Sequence, residues 1–119
     1  MTKILIIDDS LLARTMLSRI LKELGHEVIM ATNGSEGLDM AGVQKPDCIF
    51  LDFLLPDMNA NNVLLTLKER KIDIPVIVLT ANIQSSIKKE CMESGAVAVL
   101  NKPAKKEEVS EIIERSLNL

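Results

Sequence analysis

Five short aliphatic runs, separated by longer segments with helical spacing, constrain the fold of this chain more than any other feature. Near-continuous apolar runs of this length are typical of strands that are buried on both faces of a parallel sheet. Since each intervening segment is long enough for a crossover helix, the strands are predicted to run parallel with right-handed connections. The runs are Lys3–Asp8, Glu27–Ala31, Asp47–Asp52, Ile74–Thr80 and Ala96–Asn101.

The segments between these runs carry the usual start signals of helices. Ser10 can cap a first helix, Asn33 opens a second, and Asn59 with the asparagines after it can initiate a third. A fourth helix is expected at about residues 85–94, and a fifth follows the last strand. Pro75 is tolerated because it stands at the entrance of strand four.

The predicted fold is therefore α/β: a doubly wound, five-stranded parallel sheet with five helices. An eight-unit barrel is excluded because it needs about twice the length, and the 119 residues are assigned to one domain, 1–119. The strand order 2-1-3-4-5 is adopted by analogy with a common doubly wound arrangement.

Composition excludes several classes of protein. The formal charge of −3 argues against a binder of the nucleic-acid backbone, and the absence of Trp and Tyr weakens any stacking platform. No apolar run approaches the roughly 18 residues of a membrane span. The start of the chain leads directly into a strand rather than a signal peptide. Cys48 and Cys91 lie in apolar segments, so reduced thiols and a cytoplasmic location are expected.

Chemically useful side chains follow four of the predicted strands. Asp8 and Asp9 follow strand one, Asp52 ends strand three, Thr80 ends strand four, and Lys102 follows strand five. Ligands of open parallel sheets sit beyond the carboxyl ends of the strands. In the adopted strand order, three carboxylates, a hydroxyl and an ammonium group converge in one crevice.

The chemistry of such a crevice points to a hard cation. Two carboxylates about 4 Å apart repel by about 4 kcal/mol at an effective dielectric constant near 20, so three remain ionised only beside a cation. Oxygen ligands suit Mg²⁺ or Mn²⁺, whereas zinc usually takes His or Cys, and the only histidine, His26, lies in a turn after the first helix.

A hard cation beside these groups is the equipment of phosphoryl transfer. Asp52 is the candidate nucleophile, Lys102 can neutralise phosphoryl oxygens, and Thr80 can bond one of them. No Gly-rich phosphate loop follows strand one, so no nucleotide site is indicated.

In these motifs the chain resembles the receiver domain of two-component response regulators, of the CheY type, over its whole length. Each motif alone is common, but their order at the predicted strand ends, at the family's spacing, is specific. The motifs are Asp8-Asp9, Leu51-Asp52 with Pro56-Asp57-Met58, Thr80-Ala81, Gly95-Ala96 and Leu100-Asn101-Lys102-Pro103.

The resemblance implies roles for these residues. Asp52 would accept a phosphoryl group from the phosphohistidine of a histidine kinase or histidine-phosphotransfer protein. Mg²⁺ would be held by Asp9, Asp52 and the backbone carbonyl of Leu54, with Asp8 acting through water. The Lys102–Pro103 peptide bond would be cis.

Two positions depart from the family pattern, and two others are ones at which the family tunes the site. Val99 replaces the usual Tyr or Phe three residues before the lysine, so we expect the loop after Thr80 to shift on phosphorylation but to expose a different surface. Ala60 replaces a Gly, which makes a positive φ unlikely there. Leu54 and Asn82 occupy positions that influence the lifetime of the phosphoryl group in the family. We expect the phosphoryl group to hydrolyse more slowly in the unchanged protein than in Leu54→Asn.

Three functions remain open from the sequence. The leading hypothesis is a stand-alone phosphoacceptor switch, not a turnover enzyme, which acts by protein–protein contact or phosphate shuttling, with no nucleic-acid or membrane partner and no attached output module. A small Mg²⁺-dependent phosphohydrolase is a second possibility, although Asp8-Asp9 lacks the D-x-D spacing of the haloacid dehalogenase family. A non-phosphorylated pseudo-receiver scaffold is the third, because Val99 lacks a ring.

Overall fold

Strands and helices alternate strictly along the chain in the computed structural model, which describes residues 2–82 and 84–117. The apolar runs form the strands, and the capped amphipathic segments form the helices between them. The strands are β1 Lys3–Ile7, β2 Glu27–Ala31, β3 Cys48–Asp52, β4 Val76–Thr80 and β5 Ala98–Asn101. The helices are α1 Leu11–Glu23, α2 Gly34–Gln44, α3 Ala60–Glu69, α4 Ser85–Ser94 and α5 Lys106–Leu117.

All five strands are parallel and lie in the order β2-β1-β3-β4-β5, which confirms the predicted fold. In the register between β1 and β3, Ile7 pairs with Leu51. The residues that follow this pair, Asp8 and Asp52, therefore reach the carboxyl edge of the sheet side by side. Thr80 at the end of β4 pairs with Asn101, next to Lys102.

Each face of the sheet has its own hydrophobic core, because successive side chains of a strand point to opposite faces. One face packs with α2, α3 and α4, and the other packs with α1 and α5. The strand residues of the first core include Leu5, Ile7, Ile49, Leu51, Val76, Val78 and Val99, and those of the second include Ile4, Ile6, Cys48, Phe50, Ile77 and Leu79.

The predicted bounds of four strands were too generous. β4 begins at Val76 rather than Ile74, because Pro75 has no N–H to donate to the sheet and only its carbonyl is used, by the Ile49 N–H at 2.9 Å. β5 begins two residues later than predicted, at Ala98, while β1 ends and β3 begins one residue inside the predicted runs.

The predicted helix starts are confirmed. The side chains of Ser10, Asn33 and Asn59 each accept a hydrogen bond from a backbone N–H of the first turn that follows. Ala60 is the first residue of α3, so this position needs no left-handed backbone. Within the described ranges, no helix has both the length and the apolar character needed to cross a membrane.

Candidate functional site

Three carboxylates meet at the carboxyl edge of β1 and β3. Asp8, Asp9 and Asp52, here called the acid cluster, each offer an oxygen, and these atoms lie within 4.8 Å of one another. Asp8 is 2% exposed and Asp52 is 9% exposed, whereas Asp9 faces solvent. The cluster is therefore a half-buried group of oxygen donors that is open to water on one side.

The ammonium group of Lys102 lies between the two buried members of the cluster. Its Nζ is 2.8 Å from Asp8 Oδ2 and 3.2 Å from Asp52 Oδ2. The Lys102 N–H donates to the Thr80 carbonyl at 2.9 Å, which holds the lysine backbone beside the end of β4. The Lys102–Pro103 peptide bond is cis, as the resemblance implies. The lysine therefore contacts the site from the β5 side.

One lysine does not balance the charge of three carboxylates, and the pKa values of Asp52 and Lys102 are both raised in the folded protein. Burial raises the pKa of Asp52, the Asp8 charge raises it further, and these effects outweigh the opposing attraction of Lys102. Burial lowers the pKa of Lys102, but its hydrogen bond to Asp8 and the charge of Asp52 outweigh that effect and raise it. Three oxygen donors with excess negative charge fit a hard divalent cation such as Mg²⁺ or Mn²⁺.

Thr80 is buried at the end of β4, close to the lysine. Its hydroxyl donates to the Asn82 carbonyl at 3.3 Å and accepts from the Asn82 N–H at 3.2 Å, so it is bonded within its own loop. Together with Asp52, Leu54 and Lys102, it lines one cavity of about 460 Å³. This cavity is large enough to receive a phosphoryl group.

Leu54 lies at the mouth of this cavity, in the segment of residues 53–59 that joins β3 to α3. Its side chain is 68% exposed, and its backbone forms a single antiparallel bridge with Asn59. The structure thus brings together every residue that the sequence singled out for the site. These residues are Asp8, Asp9, Asp52, Leu54, Thr80 and Lys102.

Sequence reasoning missed a contact between α1 and the acid cluster. The Arg14 guanidinium donates to the backbone carbonyl of Asp8 at 2.8 Å, and the Ser10 N–H donates to Asp8 Oδ1 at 2.9 Å. No motif of the sequence singled out Arg14 for this contact. Its position one turn after the Ser10 cap was the available signal, because that spacing returns the side chain toward the start of α1.

The side chain of Val99 is 7% exposed and belongs to the same core as Cys91 of α4. This position therefore carries a buried aliphatic side chain rather than an aromatic ring. Cys91 is fully buried, at 0% exposure. It is the buried contact through which α4 packs on the sheet.

Comparison with known proteins gives one consistent result. The family model of the response regulator receiver domain matches residues 4–114. Sporulation initiation phosphotransferase F of Bacillus subtilis is 31% identical over 117 residues, which cover 98% of this chain and 94% of that protein. The chemotaxis protein CheY4 of Vibrio cholerae has a similar structure, with a TM-score of 0.91 at 30% identity, covering 98% of this chain and 99% of that one.

A longer relative matches over part of its length only. The alkaline phosphatase synthesis transcriptional regulatory protein PhoP of Bacillus subtilis is 35% identical over 115 residues, which cover 97% of this chain. The chain spans about half of that relative, since the match covers 48% of it. The similarity to PhoP therefore concerns its receiver portion.

Proposed function

The chain belongs to the response regulator receiver domain family, and on this premise we propose that it is a phosphoacceptor switch whose Asp52 accepts a phosphoryl group in a Mg²⁺-dependent reaction. The observation that carries the proposal is the acid cluster with Lys102 bonded to both of its buried members. A surface group of acids has no need of a lysine held between its members, whereas a phosphoryl-transfer site needs both a nucleophile and positive charge.

In the proposed reaction, a carboxylate oxygen of Asp52 attacks the phosphorus of a phosphohistidine. A P–O bond forms while the P–N bond breaks, and the nitrogen of the imidazole takes the electron pair. Asp9, Asp52 and the Leu54 carbonyl would hold Mg²⁺, with Asp8 acting through water, and the bound ion would supply positive charge for the phosphoryl oxygens. Asp52 is accessible to a phosphoryl donor because it lines a cavity together with Thr80 and Lys102.

Lys102 and Thr80 have separate roles in the proposal. The ammonium of Lys102 already contacts Asp52, so it can pair with a phosphoryl oxygen on that residue after a small rearrangement. The Thr80 hydroxyl would have to leave Asn82 to bond the phosphoryl group. That exchange would free the start of the loop before α4, and it is the proposed first step of the readout.

The proposed donor is a histidine kinase or a histidine-phosphotransfer protein. One relative is named a phosphotransferase, and it aligns along nearly its whole length. This likeness supports phosphate shuttling as one output of the chain, beside direct contact with a protein target. We place the reaction in the cytoplasm, because both cysteines are buried free thiols, as expected in a reducing compartment.

The proposal is tested by incubating the protein with acetyl phosphate and Mg²⁺ and measuring the intact mass. We expect a stoichiometric gain of one phosphoryl group that hydroxylamine removes, and we expect none with EDTA or in Asp52→Asn. Asp73→Asn is the matched control, because Asp73 is an exposed acid before β4, on the opposite edge of the sheet; this variant should gain the phosphoryl group normally.

Two other outcomes would reject the switch. Steady consumption of acetyl phosphate without a protein adduct would indicate a phosphohydrolase, and no metal-dependent change would indicate a scaffold. In Lys102→Ala we expect Mg²⁺ binding to persist while phosphorylation is impaired or no longer changes the conformation. Normal phosphorylation and a normal conformational response in that variant would remove Lys102 from the proposal.

A further inference from the structure

The segment between β3 and α3, residues 53–59, is held to a distant part of the chain by one side chain. Asp57 accepts a hydrogen bond from the Gly34 N–H through Oδ1 and another from the Ser35 N–H through Oδ2, both at 2.9 Å. These are the first two backbone amides of α2. The two carboxylate oxygens of Asp57 therefore join the segment to α2 across more than twenty residues of sequence.

The neighbouring side chain adds close packing to these bonds. Met58 lies against Gly34, where an added Cβ would stand 2.5 Å from the Met58 Cγ and Sδ atoms. Only a glycine therefore allows this approach without displacing Met58. Asp57 and Met58 together fix the segment on α2 by charge-assisted hydrogen bonds and by contact.

The contact extends from Asp57 to Leu54 through a short turn. The Leu55 N–H donates to the Met58 carbonyl at 3.1 Å, and Leu54 forms its antiparallel bridge with Asn59. Pro56, inside the turn, has a restricted φ. Few soft torsions thus separate the anchored end of the segment from the Leu54 carbonyl, which accepts no hydrogen bond from the other residues that the structure describes.

Helix α2 does not need Asp57 in order to begin at Gly34. Asn33 is its N-cap, and the Asn33 Oδ1 accepts from the Glu36 N–H at 2.8 Å. The hydrogen bonds from the Gly34 and Ser35 N–H groups lower the pKa of Asp57, which favours its charged form. Because Asn33 already caps α2, the helix does not depend on the contact with Asp57. The contact therefore serves to hold the loop of residues 53–59 in place.

We propose that Asp57 is a positioning residue for the metal site, which keeps the Leu54 carbonyl next to the acid cluster by fixing residues 53–59 on α2. This inference rests on the proposed function, because it assumes that the cluster and Leu54 bind a divalent ion. It adds a role for a residue that touches neither the ion nor the phosphoryl group. Loss of the contact should weaken metal binding even though all ligands remain.

The test is a calorimetric titration of Asp57→Ala with Mg²⁺, since the chain has no Trp or Tyr to report binding by fluorescence. We expect about tenfold weaker binding, the lower end of the loss that follows removal of a group supporting a metal ligand. Asp57→Asn, which keeps one acceptor oxygen, should lie between Asp57→Ala and the unchanged protein. Circular dichroism before each titration confirms that the variants are folded.

Asn33→Ala is the matched control, because it weakens the same helix start without touching residues 53–59. We expect its Mg²⁺ affinity to stay within about twofold of the unchanged protein while its melting temperature falls. Equal losses of affinity in Asn33→Ala and Asp57→Ala, or no loss in Asp57→Ala, would overturn the positioning role. Absence of binding in the unchanged protein would instead reject the proposed function, and this inference with it.

Discussion

The two sides of the site differ in how firmly the chain holds them. On the acid-cluster side, α1 is capped by Ser10, Arg14 bonds the Asp8 backbone, and Asp57 fixes the segment after β3. On the other side, Gln84, the N-cap of α4, makes no side-chain hydrogen bond to the helix, and Cys91 is the buried residue of α4. The proposed metal ligands lie on the firmly held side, and the helix that follows Thr80 lies on the loosely held side.

A polar contact also joins α3 and α4. Asn61, which is 6% exposed, donates its side-chain N–H to Glu90 of α4. Its Oδ1 is buried and has no hydrogen-bond partner among the described residues. An unsatisfied buried oxygen costs stability, so this contact holds α4 less firmly than a buried apolar residue would.

The site of one small domain can therefore keep two requirements apart, a fixed set of metal ligands and a movable readout element. Metal ligands must be fixed in space to bind a small cation. A readout element must instead move at low free-energy cost, and such elements have few buried contacts. The division between the two sides of this site fits both requirements.

The largest expected effect is a difference in the free energy of unfolding between a variant of α1 and a variant of α4. Leu21→Ala removes a fully buried side chain of α1 and should lower the free energy of unfolding by about 2–5 kcal/mol. Ile87→Ala removes a partly buried side chain of α4 and should cost about 1 kcal/mol. Chemical denaturation measures both values. Equal losses would show that α4 is packed as firmly as α1.

A second prediction concerns the space around Val99. Val99→Phe overfills a buried position, and because α4 packs thinly over it we expect a cost of about 1 kcal/mol, the low end for such changes. Val78→Phe, at the paired position on β4, should cost about 3 kcal/mol. Denaturation curves would contradict the comparison if Val99→Phe cost as much as Val78→Phe.

The smallest expected effect is electrostatic and concerns Asp52 without metal. Its pKa in the folded protein lies above the ordinary value of 3.8, so the folded state binds this proton more tightly than the unfolded chain. Stability therefore falls as the pH rises from about 3.8 through the raised pKa. Asp52→Asn should remove this pH dependence and raise the free energy of unfolding at neutral pH by about 1 kcal/mol.

Addition of Mg²⁺ distinguishes this effect from a change in packing. A ligand that binds only the folded state stabilises it, so Mg²⁺ should raise the melting temperature of the unchanged protein. Asp52→Asn has lost a proposed ligand and should respond much less. If the free energy of unfolding depends on pH in the same way in both proteins, the pKa of Asp52 is not raised in the folded state.

Much of the fold and the site could be predicted from local signals. Alternating aliphatic runs and capped helices gave the architecture, and Asp52, Thr80 and Lys102 were found because strand ends meet at one edge of a parallel sheet. The strand order came by analogy, since no local pattern encodes which strands pair. The starts of β4 and β5 were missed because apolar residues continue beyond the hydrogen-bonded ladder.

The contacts that hold the site in place were not predictable in the same way. Asp57 and Gly34 are far apart in sequence, and no periodicity links a carboxylate in one loop to the first turn of another helix. Asn61 stands in a helical segment where the sequence suggested only a cap, and its burial depends on the approach of α4. Such contacts depend on the tertiary arrangement of the completed fold.

The most direct test of the account is an anomalous difference map from crystals of the protein soaked in Mn²⁺. We predict one strong peak at the carboxyl edge of the sheet, bound by the carboxylates of Asp9 and Asp52 and by the Leu54 carbonyl. A peak elsewhere, or none at this edge with millimolar Mn²⁺, would contradict the central claim that these groups form a metal-dependent phosphoacceptor site.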